Sequence, residues 1–217
     1  MEKFTVVTGV AAPMLMTNIN TDLIAPSLMP GHTPDQTAKL TLREKMFANL
    51  RFTPDGRPRE DFVLNQPRYA QARIILAGPN FGCGSSRETA VWSLMEAGIR
   101  CVIAPSFGDI FHDNSFQNGL LPLKLDMASI ERIAGALQRS NAAEMTIDLT
   151  RCELSVPGLD PIPFELSEDR QAPLLDGVDQ LDFMLRSRDA IDAWEHQDAT
   201  ARPWAYTIGT KDALTTG

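Results

Sequence analysis

The sequence predicts an α/β fold on a parallel sheet, and three observations carry that expectation. Two compact apolar runs, Ile74-Ile75-Leu76-Ala77 and Cys101-Val102-Ile103-Ala104, are of the kind buried on both faces of a sheet. Between them, Ser86 to Ala97 reads as a helix closed by Gly98. A second crossover follows at once: Ser106 is placed to cap a helix to Asn118, Gly119 ends it, and Leu120 to Leu125 supplies a third strand with Pro122 at its start. Such βαβ units are parallel and right-handed.

The remaining elements are read in the same way. Phe4 to Val7 is expected as a short first strand, followed by a loop from Gly9 through Pro34 that carries the polar cluster Thr17 to Asp22. A connection of that length points to function, and Leu15, Ile19, Ile24 and Leu28 would pin it to a surface. Thr41-Leu42-Arg43-Glu44 fits a capping box, and Leu42, Met46, Phe47 and Leu50 behind it predict a helix of roughly ten residues. Pro54, Gly56 and Pro58 then break regularity. After the third strand, Asp126 caps a helix with Ile130, Ile133, Ala134 and Leu137 on one face. Met145 to Glu165 predicts short strands around Gly158, Pro161 and Pro163, and Leu174 to Gln197 a helical stretch in at least two pieces. The expected organisation is one domain over 1–197 with a loose tail, 198–217.

Composition narrows the function classes. The 217 residues are 43% hydrophobic, enough for a core, and 20 basic against 28 acidic residues leave a formal charge of −8. That sign argues against nucleic acid as a partner. No apolar run approaches the ~18 residues of a membrane span and the amino terminus lacks a signal-peptide core, so a cytosolic protein without membrane contact is expected. Cys83, Cys101 and Cys152 show no CxxC and no Cys/His spacing, which predicts neither a disulfide framework nor a metal site in this chain.

An anionic ligand must then be captured locally, against the net field. Gly78-Pro79-Asn80-Phe81-Gly82-Cys83-Gly84-Ser85-Ser86-Arg87-Glu88 joins the carboxyl end of a buried strand to a helix, where open α/β sheets place ligands. Free amides, two hydroxyls and the Arg87 guanidinium suit a carboxylate. The segment is neither a Walker sequence nor GxGxxG. The plainer alternative makes Ser85 or Ser86 a helix cap, Arg87 a surface charge and Asp22 a turn former. A hydrolytic triad has no support, because GCGSS is not GxSxG and His32, His112 and His196 sit in unremarkable contexts.

Three stretches carry a resemblance: Asn18-x-Asn20-Thr21-Asp22-x-Ile24-x-Pro26, Asn80 through Glu88, and Ser106-Phe107-x-Asp109-Ile110-Phe111 with Asn118-Gly119-Leu120-Leu121-Pro122. In order and spacing they resemble the small subunits of 3-isopropylmalate dehydratase, in the aconitase superfamily. Phe62-Val63-Leu64-Asn65, Gly177-Val178-Asp179 and Asp189-Ala190-Ile191 fit the same pattern. The resemblance implies a swivelling three-layer β/β/α domain like the fourth domain of aconitase, docked on a large subunit that carries a [4Fe–4S] cluster. It implies isomerisation of 2-isopropylmalate and 3-isopropylmalate, a small dicarboxylate substrate, by dehydration and rehydration in leucine biosynthesis. Ser85 matches the base that takes a proton from carbon, Ser86 and Arg87 match residues that hold a substrate carboxylate, and Asp22 matches a position near the site.

A hydroxyl is a weak base partner on its own. Water ionises at about 15.7, and a helix end contributing up to ~2 kcal/mol lowers that by only about 1.5 units. If Ser85 has the base role, a partner must supply a Lewis acid that activates the substrate. This chain departs from the family at Asn20, where aspartate is usual, at Thr89, where histidine is usual, and over Ser27 to Thr33, where the substrate's side group is read. Leu28 and Met29 there suit an alkyl group better than a third carboxylate. The alternatives are another alkylmalate, of the 2-methylmalate or dimethylmalate type, and a non-catalytic anion-binding module of the same fold.

Overall fold

The structure, a computed structural model, describes residues 1–206. Its strands are β1 (Val6–Met14), β2 (Ala72–Ala77), β3 (Cys101–Ala104), β4 (Leu121–Lys124), β5 (Glu144–Asp148), β6 (Glu153–Ser155) and β7 (Ile162–Pro163). They form one mixed sheet in the order β4-β3-β2-β1-β5-β6-β7. The first four positions are parallel and the rest antiparallel, as the apolar runs and the hairpin signals predict.

The helices are α1 (Thr21–Ile24), α2 (Pro34–Ala38), α3 (Leu42–Lys45), α4 (Ala48–Arg51), α5 (Glu88–Glu96), α6 (Asp109–Asn118), α7 (Met127–Arg139), α8 (Glu168–Asp176), α9 (Gln180–Leu185) and α10 (Arg188–Ala201). Asp126 caps α7 by accepting from the Ser129 amide at 2.9 Å, and the α7 residues Ile130, Ile133, Ala134 and Leu137 are buried, both as expected.

Alternation across the sheet separates two cores. On one face, Ile74, Leu76, Cys101, Ile103, Leu121 and Leu123 join the α7 residues and Met145, Ile147, Leu154 and Ile162 in a single cluster. Residues from both edge strands meet there, so the sheet curls around that cluster as a half-barrel. On the other face, Ile75, Ala77 and Val102 pack with Ala90, Val91 and Leu94 of α5, Phe111 of α6 and Ile19 and Ile24. The result is an α/β domain with α7 on one face of the curled sheet and α5 and α6 on the other.

Two expectations fail locally. β1 does not end at Val7 but continues to Met14, because it changes partner: Val6 to Val10 pair with β5, and from a register shift at Val10/Ala11 the strand continues on β2. Pro13 is tolerated since the β5 pairing has ended by then. The expected ten-residue helix at 41–50 is instead two single turns, α3 and α4. The capping box is present, but Phe47 adopts φ 54°, buries its ring completely and donates its amide to the Ile24 carbonyl at 2.9 Å. Burial of Met46 and Phe47 outweighs helical continuity.

The chain divides into two compact units, Met1–Gly177 and the segment from Val178. In the second, Asp179 caps α9, and the i,i+4 pairs Arg188–Asp192 and Arg202–Asp198 brace α10. Of the tail expected at 198–217, residues 198–206 are the end of α10 and a 3-10 turn; 207–217 lie outside the described residues. No described helix is long and apolar enough to cross a membrane.

Candidate active site

The turn after β2 is held on both sides by backbone. Gly82 donates to the Ile19 carbonyl at 2.7 Å and Thr21 to the Cys83 carbonyl at 2.9 Å, which pairs Asn20 with Cys83 as in a parallel ladder. On the other side Phe81 donates to the Ser106 carbonyl at 3.0 Å and receives the Gly108 amide at 2.9 Å. Asn18 and Asn80 both have positive φ, and the Asn80 side-chain amide donates to Asn18 Oδ1 at 2.7 Å. Gly82, at φ 72°, lies flat against the Phe111 ring, and a Cβ there would overlap the ring outright. The loop from 78 to 84 is thus fixed between two segments far apart in sequence.

What this frame presents is Ser85-Ser86-Arg87. The two serines are exposed and Arg87 is partly so. Neither serine caps the helix, which starts at Glu88 with Arg87 at the cap position and no side-chain capping bond. The plainer alternative for the serines therefore fails, and so does the expected helix start at Ser86. Ser106 is likewise not a cap: α6 begins after Gly108, and the Ser106 hydroxyl accepts from the Asn80 amide at 2.9 Å.

Asp22 and Arg87 meet, with carboxylate and guanidinium 2.6 Å apart and side chains 59% and 37% exposed. An ion pair that open to water adds little stability. Its effect is geometric, since one arm of the guanidinium is engaged and the others remain free for a second carboxylate. Thr21, buried, donates to the Ser85 carbonyl at 2.9 Å and lies 3.4 Å from the Ser85 hydroxyl. Its single proton is committed to the carbonyl, so toward Ser85 Oγ it can only accept. Thr21 received no role in the sequence reading; its place directly before Asp22 in the polar cluster was the available signal.

Leu28 and Met29 are not brought to this loop. Leu28 is 49% exposed and Met29 is buried, and both line a separate cavity of about 390 Å³ with Pro30, His32, Asn49, Phe52 and Arg59. Asn118, from the family-like stretch, accepts from the Trp92 indole and donates to Glu88, each at 2.9 Å, tying the end of α6 to α5. Among the described residues no group of three or more His, Cys, Asp or Glu is placed to hold a metal ion, and Cys101 is fully buried, so the residues present do not fit an iron–sulfur cluster. Burial drives the Cys101 thiol far above its ordinary pKa.

Residues 1–128 match the Aconitase C-terminal domain family. The chain is 47% identical over 206 residues to the 3-isopropylmalate dehydratase small subunit of Rhodospirillum centenum, covering 94% of this chain and 99% of that one. To the protein of the same name from Agrobacterium fabrum it is 46% identical, covering 94% and 100%. A crystal structure of 3-isopropylmalate dehydratase (leuD) from Methanocaldococcus jannaschii shares the fold, with a TM-score of 0.57 and 24% identity over 88% of this chain and 99% of that one. With identity of this level over almost the whole of both chains, the protein belongs to the family of 3-isopropylmalate dehydratase small subunits.

Proposed function

We propose that this chain is the small subunit of a heteromeric hydro-lyase that interconverts 2-isopropylmalate and 3-isopropylmalate, in the cytosol, as a step of leucine biosynthesis. The observation that carries this reading is that Thr21 and Asp22, adjacent in the chain, meet the exposed Ser85 and the Arg87 guanidinium respectively, in a chain whose relatives bear that enzyme's name.

Each residue then has a defined task. Arg87, steadied by Asp22, grips a substrate carboxylate with its free donors, and Ser86 adds a hydroxyl to the same group. Asp22 acts through Arg87, because a carboxylate would repel the substrate directly. Ser85 exchanges the proton on the carbon next to that carboxylate, and Thr21 positions its hydroxyl. The [4Fe–4S] cluster is assigned to the large subunit, where it supplies the Lewis acid for the substrate hydroxyl. The second reading is another alkylmalate, of the 2-methylmalate or dimethylmalate type: Leu28 and Met29, expected to suit the alkyl group, line a cavity whose walls do not include Ser85 to Arg87.

The test is to co-purify the chain with its large subunit under anaerobic conditions and assay a panel of alkylmalates. Isopropylmalate is expected to give the highest kcat/KM; a 2-methylmalate or dimethylmalate preference would select the second reading. Ser85→Ala should lower kcat by about 10²- to 10⁴-fold with assembly intact. Undiminished turnover in that variant would leave only the non-catalytic module.

A further inference from the structure

At the end of β2 away from Ser85, roughly 20 Å along the strand at ~3.3 Å per residue, a cleft gathers three arginines. No ion pair joins Arg43, Arg51 or Arg73 to any carboxylate among the described residues. The cleft has two parts with Arg43, Ala70, Ala72 and Ala97 as shared walls. The inner chamber, about 70 Å³, is lined by Arg43, Arg51 and Tyr69 among apolar side chains and by no acid. The outer part, about 450 Å³, adds Arg73, Glu96 and Glu144.

The inner chamber is constructed around Arg51. Its Nε donates to Asn65 Oδ1 at 3.1 Å, and the Asn65 amide donates back to the Arg51 and Arg59 carbonyls at 2.7 and 2.8 Å. Asn65 closes the stretch Phe62-Val63-Leu64-Asn65, for which the reaction proposed above has no use. Arg51 is half-buried; burial first, and then the positive charge of Arg43, hold its guanidinium below the ordinary pKa. A guanidinium whose charge a second one disfavours, with no carboxylate paired to either, is stabilised by an added anion. The Tyr69 hydroxyl has no hydrogen-bond partner among the described residues. In the outer part, Glu96 accepts from the Arg43 backbone amide at 3.3 Å rather than from a guanidinium. Arg73 is fixed there, its stem against the bare backbone of Gly9 and its Nη1 donating to the Thr8 carbonyl at 3.3 Å.

We propose that the inner chamber binds one small oxyanion group, a carboxylate or a phosphate, through Arg43, Arg51 and the Tyr69 hydroxyl, with Arg73 at the entrance. The chamber, about 70 Å³, has room for one such group.

Calorimetric titration of the full chain at constant ionic strength, with sodium phosphate in one arm and sodium acetate in the other, tests this. Saturable one-site binding is expected in at least one arm, and the stronger arm identifies the oxyanion. Arg43→Ala, on an exposed helical turn, should weaken binding about tenfold or more, and Tyr69→Phe about threefold. Every titration is run in the Arg87→Ala background, which removes the carboxylate contact of the Ser85 loop, so that the heat measured comes from outside that loop. No saturable heat in either arm, or binding that survives Arg43→Ala, would overturn the proposal.

Discussion

Two successive turns join a parallel strand to a helix in this protein, and only one of them presents chemistry. The turn after β2 exposes Ser85, Ser86 and part of Arg87, whereas the turn after β3 buries Phe107 against Phe81 and Phe111. Both occupy the position at which open α/β sheets bind ligands. The difference is a third segment. Ile19 to Asp22 pairs with the first turn, brings Thr21 beneath Ser85 and sets Asp22 on Arg87. The second turn lies on the other side as a buttress, with Ser106 spent on the Asn80 amide. Topology offers a ligand position at both turns, and the segment Ile19 to Asp22 lies against the one that leaves polar side chains exposed.

Gly82→Ala should break the arrangement most severely. Its Cβ would collide with the buried Phe111 ring at a backbone angle that disfavours any side chain. A loss of roughly 2–4 kcal/mol is expected from overpacking and strain together. Denaturant unfolding of the chain would show it as a lower midpoint; an unchanged midpoint would mean that the turn yields without its buttress. Arg87→Ala comes next and should act on function alone. The Asp22 pair is too exposed to matter for stability, so thermal unfolding should be unmoved. KM should rise by about 10- to 100-fold through loss of a charge-assisted carboxylate contact.

The contrast between the two turns was only partly legible in the sequence. The apolar runs at 74–77 and 101–104 announce buried parallel strands because no other structure hides such short runs so completely. The meeting of the Asp22 segment with the Ser85 to Arg87 turn followed from the resemblance of motifs, not from local pattern, since the two segments lie 64 residues apart when measured from Thr21 to Ser85. Where tertiary contacts override local preference, the reading failed. Ser86 and Ser106 look like caps but are not, Phe47 breaks a well-capped helix to reach the core, and β1 extends because a second partner takes over. Leu28 and Met29 were expected near the substrate, and the structure sets them in a cavity that does not include Ser85 to Arg87.

Thr21→Val sharpens the role of the segment Ile19 to Asp22 with a smaller effect. Valine keeps the shape and removes the donor to the Ser85 carbonyl and the acceptor for its hydroxyl. A fall in kcat of about fivefold with KM nearly unchanged is expected, since one neutral hydrogen bond is worth about 1 kcal/mol. A change confined to KM would mean that Thr21 supports carboxylate binding rather than the orientation of Ser85.

The smallest effect concerns the buttress and appears as a pH dependence. His112 lies between Phe107 and Phe116, with ring centroids 5.6 and 5.1 Å away. Burial first, then Lys124 and Arg170, depress its pKa, and Asp113 and Asp109 only partly oppose them. The unfolded chain protonates this imidazole near 6.5, while the folded one stays neutral to lower pH. Unfolded molecules therefore bind more protons in that window, so stability is full above about 6.5 and declines as pH falls toward the folded value. His112→Gln should remove this part of the slope, so that the Tm difference between pH 7.5 and pH 5.5 shrinks by about a degree or two against the unsubstituted chain. Because the ring packs on the second turn and not on Ser85, the variant should leave KM unchanged at pH 7.5; a raised KM would show that the two turns are coupled through Phe107 and Phe81.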